Sequence, residues 1–112
     1  MNIQIFGKSK CFDTKKAERY FKERKIKYQF IEVTKYGMSK GELNSVIAAI
    51  GDVRSLVDNQ LKEYSNLNIN LITRDNVAEK LLATPKIFKT PIVRNGKKAT
   101  LGYQPEIWKD WD

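Results

Sequence analysis

Apolar positions along this 112-residue chain change their period several times, and each change marks an element. "NIQIF" at residues 2–6 alternates and sets Ile3 and Ile5 on one side of a short strand. "GKSKC" follows as a loop, with Gly7 expected to let it turn. From about Thr14 to Arg24, the apolar residues Ala17, Tyr20 and Phe21 recur at spacings of three and four, an amphipathic helix. "KYQFIEV" at 27–33 is rich in β-branched and aromatic residues and reads as a second strand. Strand, loop, helix and strand within roughly thirty residues have the size of a βαβ crossover with parallel strands.

In "GMSKGELNSVIAAIG", Ser39 stands three residues before Glu42, a capping box. Leu43, Val46, Ile47 and Ile50 then share one apolar face, and Gly51 ends the helix. "DVRSLVDNQLKEYSNLNIN" is less periodic and reads as one or two short helices before an Asn-rich turn. "TRDNVAEKLLATP" predicts a helix from about Thr73 to Ala83, stopped near Pro85. "TPIVRNGKKATLGY" predicts a hairpin, with Asn95-Gly96 supplying the left-handed residues of a type I′ turn. "QPEIWKDW" closes the chain as a helix with Pro105 in its first turn and Trp108 and Trp111 facing inward. The expected order is β-α-β, a helical insertion at about 37–83, then α-β-β-α. Such a chain makes one α/β (α+β) domain over residues 1–112, with a mixed sheet of about four strands.

Composition narrows the chemistry. Hydrophobic content of 41% and aromatic content of 11% fit a globular chain with one core. No apolar run approaches the ~20 residues of a membrane span, so no membrane association is expected. "MNIQIFGKSK" is too short and polar for a signal peptide, and the cytoplasm is the expected address. The single cysteine, Cys11, excludes an intramolecular disulfide. With no histidine, Ser-His and Cys-His nucleophile pairs are excluded, and so is the commonest zinc ligand. No metal site or bound cofactor is expected.

The net charge is +8, and residues 8–27 hold nine basic groups against three acids, or +6 of it. This density fits a solvated helix face, an anionic substrate such as glutathione or an oxyanion, or an acidic protein partner. Direct nucleic-acid binding is not expected, since no aromatic-interleaved platform accompanies the charge.

Cys11 lies inside that basic stretch, between a strand and a helix. A thiol reacts as its thiolate, and a helix N-terminus aims backbone N–H groups and the positive end of the dipole at it. Lys8, Lys10 and Lys15 add positive potential in sequence, and the Thr14 hydroxyl is in reach of the sulfur. The alternative is a small buried hydrophobe with no reactivity. "KTPIV" places Pro91 at the start of a strand, where a trans bond is the commoner form: X–Pro bonds are cis in about 5–6% of cases.

Taken in order, these pieces resemble the arsenate reductase (ArsC) and Spx family, with its thioredoxin/glutaredoxin-like fold. "CFDTKKAERYFKERKIKYQFIEV" is similar to that family's opening, "GMSKGEL" to its helix after the second strand, and "LLATPKIFKTPIVRNGKKATLGYQPEIW" to its closing block. The resemblance covers essentially the whole chain. It implies that Cys11 is the reactive thiol, that Pro91 is cis, and that Thr90 faces the cysteine and offers backbone groups to a thiol substrate. Lys10, Thr14 and Lys15 complete the expected substrate-binding set with Thr90 and Pro91.

In arsenate-reducing members arginines hold the oxyanion, and glutathione and glutaredoxin complete the reduction. At the corresponding positions this chain has Gln60, Thr90 and Gln104, and neutral groups do not replace bidentate guanidinium donors. Members of the Spx branch bind RNA polymerase and carry a Cys-x-x-Cys switch, where this chain reads Cys-Phe-Asp-Thr. Two functions follow as expectations. One is a monothiol, glutathione-linked thiol–disulfide oxidoreductase acting as a monomer, with glutathione as co-substrate and glutaredoxin as a further partner. The other is a non-catalytic, Spx-like regulator docking on RNA polymerase or another acidic protein.

Overall fold

The computed structural model describes residues 1–111. Its centre is a four-stranded sheet of β1 (Ile3–Gly7), β2 (Tyr28–Glu32), β3 (Ile92–Asn95) and β4 (Lys98–Leu101), in the order β2-β1-β3-β4. β1 runs parallel to β2, with Ile3 opposite Tyr28 and Gly7 opposite Glu32. It runs antiparallel to β3, with Ile3 opposite Asn95 and Phe6 opposite Ile92. The C-terminal end of β1 therefore meets both the end of β2 and the segment leading into β3.

Strand alternation divides the core into two layers. Ile3, Ile5 and Val93 face α1 (Phe12–Glu23), which buries Ala17, Tyr20 and Phe21 against them. The final helix adds Trp108 to this layer and Trp111, expected within that helix, joins it from beyond the helix end; the buried Trp108 Nε1 donates to Thr100 Oγ1 at 2.7 Å. Phe6 and Ile92 face the opposite side, where the insertion packs. There α2 (Val33–Tyr36) leads into α3 (Lys40–Ile50), whose Ser39–Glu42 capping box is fully formed. A 3₁₀ turn at Val53–Leu56, α4 (Tyr64–Leu67) and α5 (Arg74–Ala83) complete the layer. Arg54 clasps it by donating to the carbonyls of Ile69 and Ile72 at 3.2 and 2.8 Å. The closing helix is α6 (Pro105–Trp108).

Two expectations shift. The first helix begins at Phe12 rather than Thr14, so Cys11 is its N-cap residue. In the hairpin, Asn95 pairs with Lys98 inside the ladder, and the two turn residues are Gly96 and Lys97. Of these only Gly96 has positive φ (+60°), the pattern of a type II′ turn, not I′. On its other side Asn95 stands opposite Ile3 of β1, and its side-chain Oδ1 accepts the Asn2 N–H at 3.2 Å.

A candidate active site at the Cys11 loop

Beyond β1 the chain turns through Lys8–Lys10 and enters α1 at Cys11, whose N–H donates to the Lys8 carbonyl at 2.9 Å. Cys11 has extended backbone angles, and its carbonyl accepts the Lys15 N–H at 3.2 Å. Its thiol, partly exposed, donates to the Thr90 carbonyl at 3.6 Å. The next peptide bond, Thr90–Pro91, is cis. Pro91 is buried, and its carbonyl accepts the Gly102 N–H at 2.8 Å.

Thr14 lies under the loop, fully buried, with Oγ1 accepting the Lys8 N–H at 3.4 Å. This fit depends on Gly7. A β-carbon there would overlap Thr14 Cγ2 and come within 2.9 Å of Oγ1 and 3.2 Å of a Phe30 ring carbon. Gly7 is the last residue of β1 and its φ is not positive, so its role is close approach rather than the turn expected of it. The loop is anchored on its other side by Glu32. One carboxylate oxygen accepts both the Ser9 N–H, at 2.9 Å, and the Ser9 hydroxyl; the other accepts the Thr34 hydroxyl at 2.8 Å. The Ser9 hydroxyl chiefly holds the Glu32 carboxyl below its usual range, despite slight burial. Parallel pairing of the two expected strands sets Glu32 beside Gly7, and that register is the signal by which the anchor could have been found.

Burial pushes the Cys11 thiol up and is the largest single influence on it. It is outweighed by donors that favour the thiolate: the side chains of Thr14 and Thr90 and the backbone N–H groups of Thr14 and Asp13. The net result is a pKa below that of an ordinary cysteine. Thr90 serves both protonation states, its carbonyl accepting from the thiol and its hydroxyl favouring the ionised sulfur. The lysines do less than their places in sequence suggest. Lys8 turns away to donate to the Lys86 carbonyl at 2.9 Å, and Lys10 and Lys15 are exposed. The structure thus brings Cys11, Thr14, Thr90 and Pro91 together, whereas Lys10 and Lys15 are exposed and are not among the groups that act on the thiol.

Among the described residues the thiol's hydrogen-bond partners come from Asp13, Thr14 and Thr90, not from an arginine. Gln60 is exposed and donates to its neighbour Asn59, while Gln104 donates to the Leu101 carbonyl at 3.1 Å. Arg94 donates to Gln4 across the sheet at 2.8 Å, Arg54 clasps the insertion, and Arg24 stacks on Tyr20.

The profile of the ArsC family matches residues 6–111. This chain belongs to the ArsC family. Among its relatives, the global transcriptional regulator Spx 2 of Oceanobacillus iheyensis is 25% identical over 109 residues, 95% of this chain and 80% of that protein. An arsenate reductase from Vibrio cholerae has the same fold, with a TM-score of 0.84 and 23% identity over 96% of this chain and 94% of that one. An ArsC-family-related protein from Bacteroides fragilis superposes over the full length of both chains, with a TM-score of 0.87 and 20% identity. In this ArsC-family chain the mixed four-stranded sheet is the thioredoxin-like sheet that the resemblance implies. No helix among the described residues is long and apolar enough to cross a membrane.

Proposed function

We propose that this ArsC-family protein is a monothiol thiol–disulfide oxidoreductase that works with glutathione in the cytoplasm. The observation that carries this reading is the partly exposed Cys11 thiol at the N-cap of α1, held toward its thiolate by Thr14 and Thr90. The Cys11 thiolate attacks the glutathione sulfur of a protein–glutathione mixed disulfide. A Cys11–glutathione disulfide forms, the substrate sulfur leaves with the bond's electron pair, and it takes a proton from water. A second glutathione thiolate then attacks the glutathione sulfur bound to Cys11. Oxidised glutathione departs and the Cys11 thiolate is restored, so that each cycle consumes two glutathionyl sulfurs and needs no second cysteine. Thr90 and Pro91 position the substrate backbone. Lys10 and Lys15 face the glutathione carboxylates, each such exposed pair contributing roughly 0.2–1 kcal/mol. Arsenate reduction is not proposed, because the thiol's partners are neutral groups.

The test is the pH dependence of Cys11 alkylation, read by intact mass, followed by turnover of a glutathionylated peptide. An alkylation midpoint below that of free cysteine, with turnover abolished in Cys11→Ser, is expected. A thiol that reacts only after unfolding would refute the reading.

The likeness to Spx 2 favours a second reading, a regulator that docks on RNA polymerase with Cys11 outside any turnover. Normal polymerase binding by Cys11→Ser, together with no glutathione-dependent turnover by the unmodified protein, would select it.

A further inference from the structure

On α1 the exposed residues Phe12, Lys16, Arg19 and Glu23 follow one another at spacings of four, three and four, which sets them on one stripe. Phe12 directly follows Cys11 and is 74% exposed. Lys16 Nζ sits between two rings, 5.3 Å from the centroid of Phe12 and 5.6 Å from that of Tyr103, itself 40% exposed. The Arg24 guanidinium lies 3.7 Å over the Tyr20 ring. Between α1 and the segment entering α6 runs a groove of about 380 Å³ lined by Lys16, Arg19, Tyr20, Glu23, Arg24 and Tyr103. Among the described residues, the ion pairs are Lys86–Glu63 and Lys109–Glu106, so the three groove cations lack a carboxylate partner.

We propose that this groove docks an acidic peptide segment of a partner protein, with its path leading toward Cys11. The segment's carboxylates pair with Lys16, Arg19 and Arg24, and an apolar side chain rests on the Phe12 and Tyr103 rings. From Phe12 to Glu23 the stripe is about 17 Å long at 1.5 Å per helical residue. An extended peptide of about five or six residues covers that length at ~3.3 Å each. A single glutathione reaches only one end of it. Glu23 between the cations disfavours a continuous phosphate chain and so favours carboxylates spaced along a peptide. On the proposed oxidoreductase this groove selects protein substrates, and to that extent the inference rests on that reading. The docking itself needs no thiol.

The test uses the full chain carrying Cys11→Ser and a fluorescein-labelled peptide of glutamates with one central phenylalanine, followed by fluorescence anisotropy. Reversing two groove charges in Lys16→Glu/Arg19→Glu is expected to weaken binding about tenfold, the sum of two exposed pairs turned repulsive. Reversing two exposed hairpin charges in Lys97→Glu/Lys98→Glu changes the net charge equally, and is expected to weaken binding by less than about twofold. Tyr103→Ala serves as a second groove variant that leaves the charge unchanged, with circular dichroism confirming that each variant is folded. Equal weakening by both charge pairs, no loss in Tyr103→Ala, absence of binding, or tighter binding of a single-stranded oligonucleotide of equal charge would each overturn the proposal. An unreactive Cys11 with intact peptide binding would overturn the oxidoreductase reading and leave this one standing. A reactive Cys11 with no groove effect would do the reverse.

Discussion

Thr14→Val is the sharpest probe of how Cys11 is activated. Valine keeps the branched shape of a side chain that is fully buried, and removes the hydroxyl that favours the thiolate and accepts the Lys8 N–H at 3.4 Å. Hydrogen bonds to charged groups contribute about 1.5–3 kcal/mol, and the low end applies because the sulfur is partly solvated. At that end the thiolate fraction, at any pH below both midpoints, falls about tenfold. The thiolate that remains is more basic and therefore more nucleophilic, which offsets about half of the effect on a logarithmic scale. Alkylation on the acid side of both midpoints should slow about threefold, while the alkaline plateau should rise by a similar factor.

The crossing of the two pH–rate profiles is the diagnostic, because a steric or accessibility change slows the reaction at every pH. With one cysteine in the chain, intact mass after timed iodoacetamide reports on Cys11 alone. Thr14→Ser keeps a hydroxyl at the same place and should restore the original profile. Superimposable profiles for Thr14→Val and the unmodified protein would refute the claim that this hydroxyl supports the thiolate. So would a uniform slowing without a crossing.

Three further outcomes follow from neighbouring features. Gly7→Ala forces Thr14 aside, so chemical denaturation should show a loss of about 1–3 kcal/mol and alkylation should slow as in Thr14→Val; an unchanged denaturation midpoint would contradict the tight approach. Thr100→Val strips the acceptor from the buried Trp108 N–H and should cost about 1–3 kcal/mol, read as a lower urea midpoint at unchanged slope. Tyr28 is pushed up to about 12, first by burial and then by its hydrogen bond to Glu18 and that carboxylate's charge. The neutral phenol is thus the form the fold prefers, and its contribution is complete below pH 10 and lost as pH rises from 10 through about 12. Ultraviolet titration should show one tyrosine ionising late, absent in Tyr28→Phe, and a midpoint near that of free tyrosine would contradict this.

The strands, the long helices and the place of the cysteine were legible because each is written in local periodicity. Apolar spacing detects the first buried residue of a helix, not the first helical one. That is why α1 reads as starting at Thr14 when Phe12, exposed to water, already belongs to it. The Asn-Gly signal located the hairpin but not its register, since β1 and the Asn2 N–H hold Asn95 in the ladder. Nearness in sequence also misassigned the activating charges: Lys8 reaches Lys86 instead of the sulfur. Thr90 enters from a residue 79 positions away, and only the family resemblance brought it to Cys11 in advance. Glu32 escaped notice because its role depends on strand register rather than on a motif.

The topology separates two tasks that the ArsC fold can combine. Because β1 lies between a parallel and an antiparallel neighbour, its C-terminal end gathers the loop of Cys11, the end of β2 at Glu32 and the segment before β3 at Thr90. What tunes the sulfur at this junction is backbone and hydroxyl: N–H groups at the start of α1, Thr14 tucked against Gly7, and Thr90. None of these depends on holding an oxyanion. Cations are needed for that second task, and here Arg54, Arg94 and Arg24 bind carbonyls, an amide and a ring elsewhere. On the proposed oxidoreductase reading, a thiol whose partners are hydroxyl and backbone groups keeps its activation without a guanidinium. The proposed oxidoreductase chemistry asks only for a nucleophilic sulfur and an external thiol.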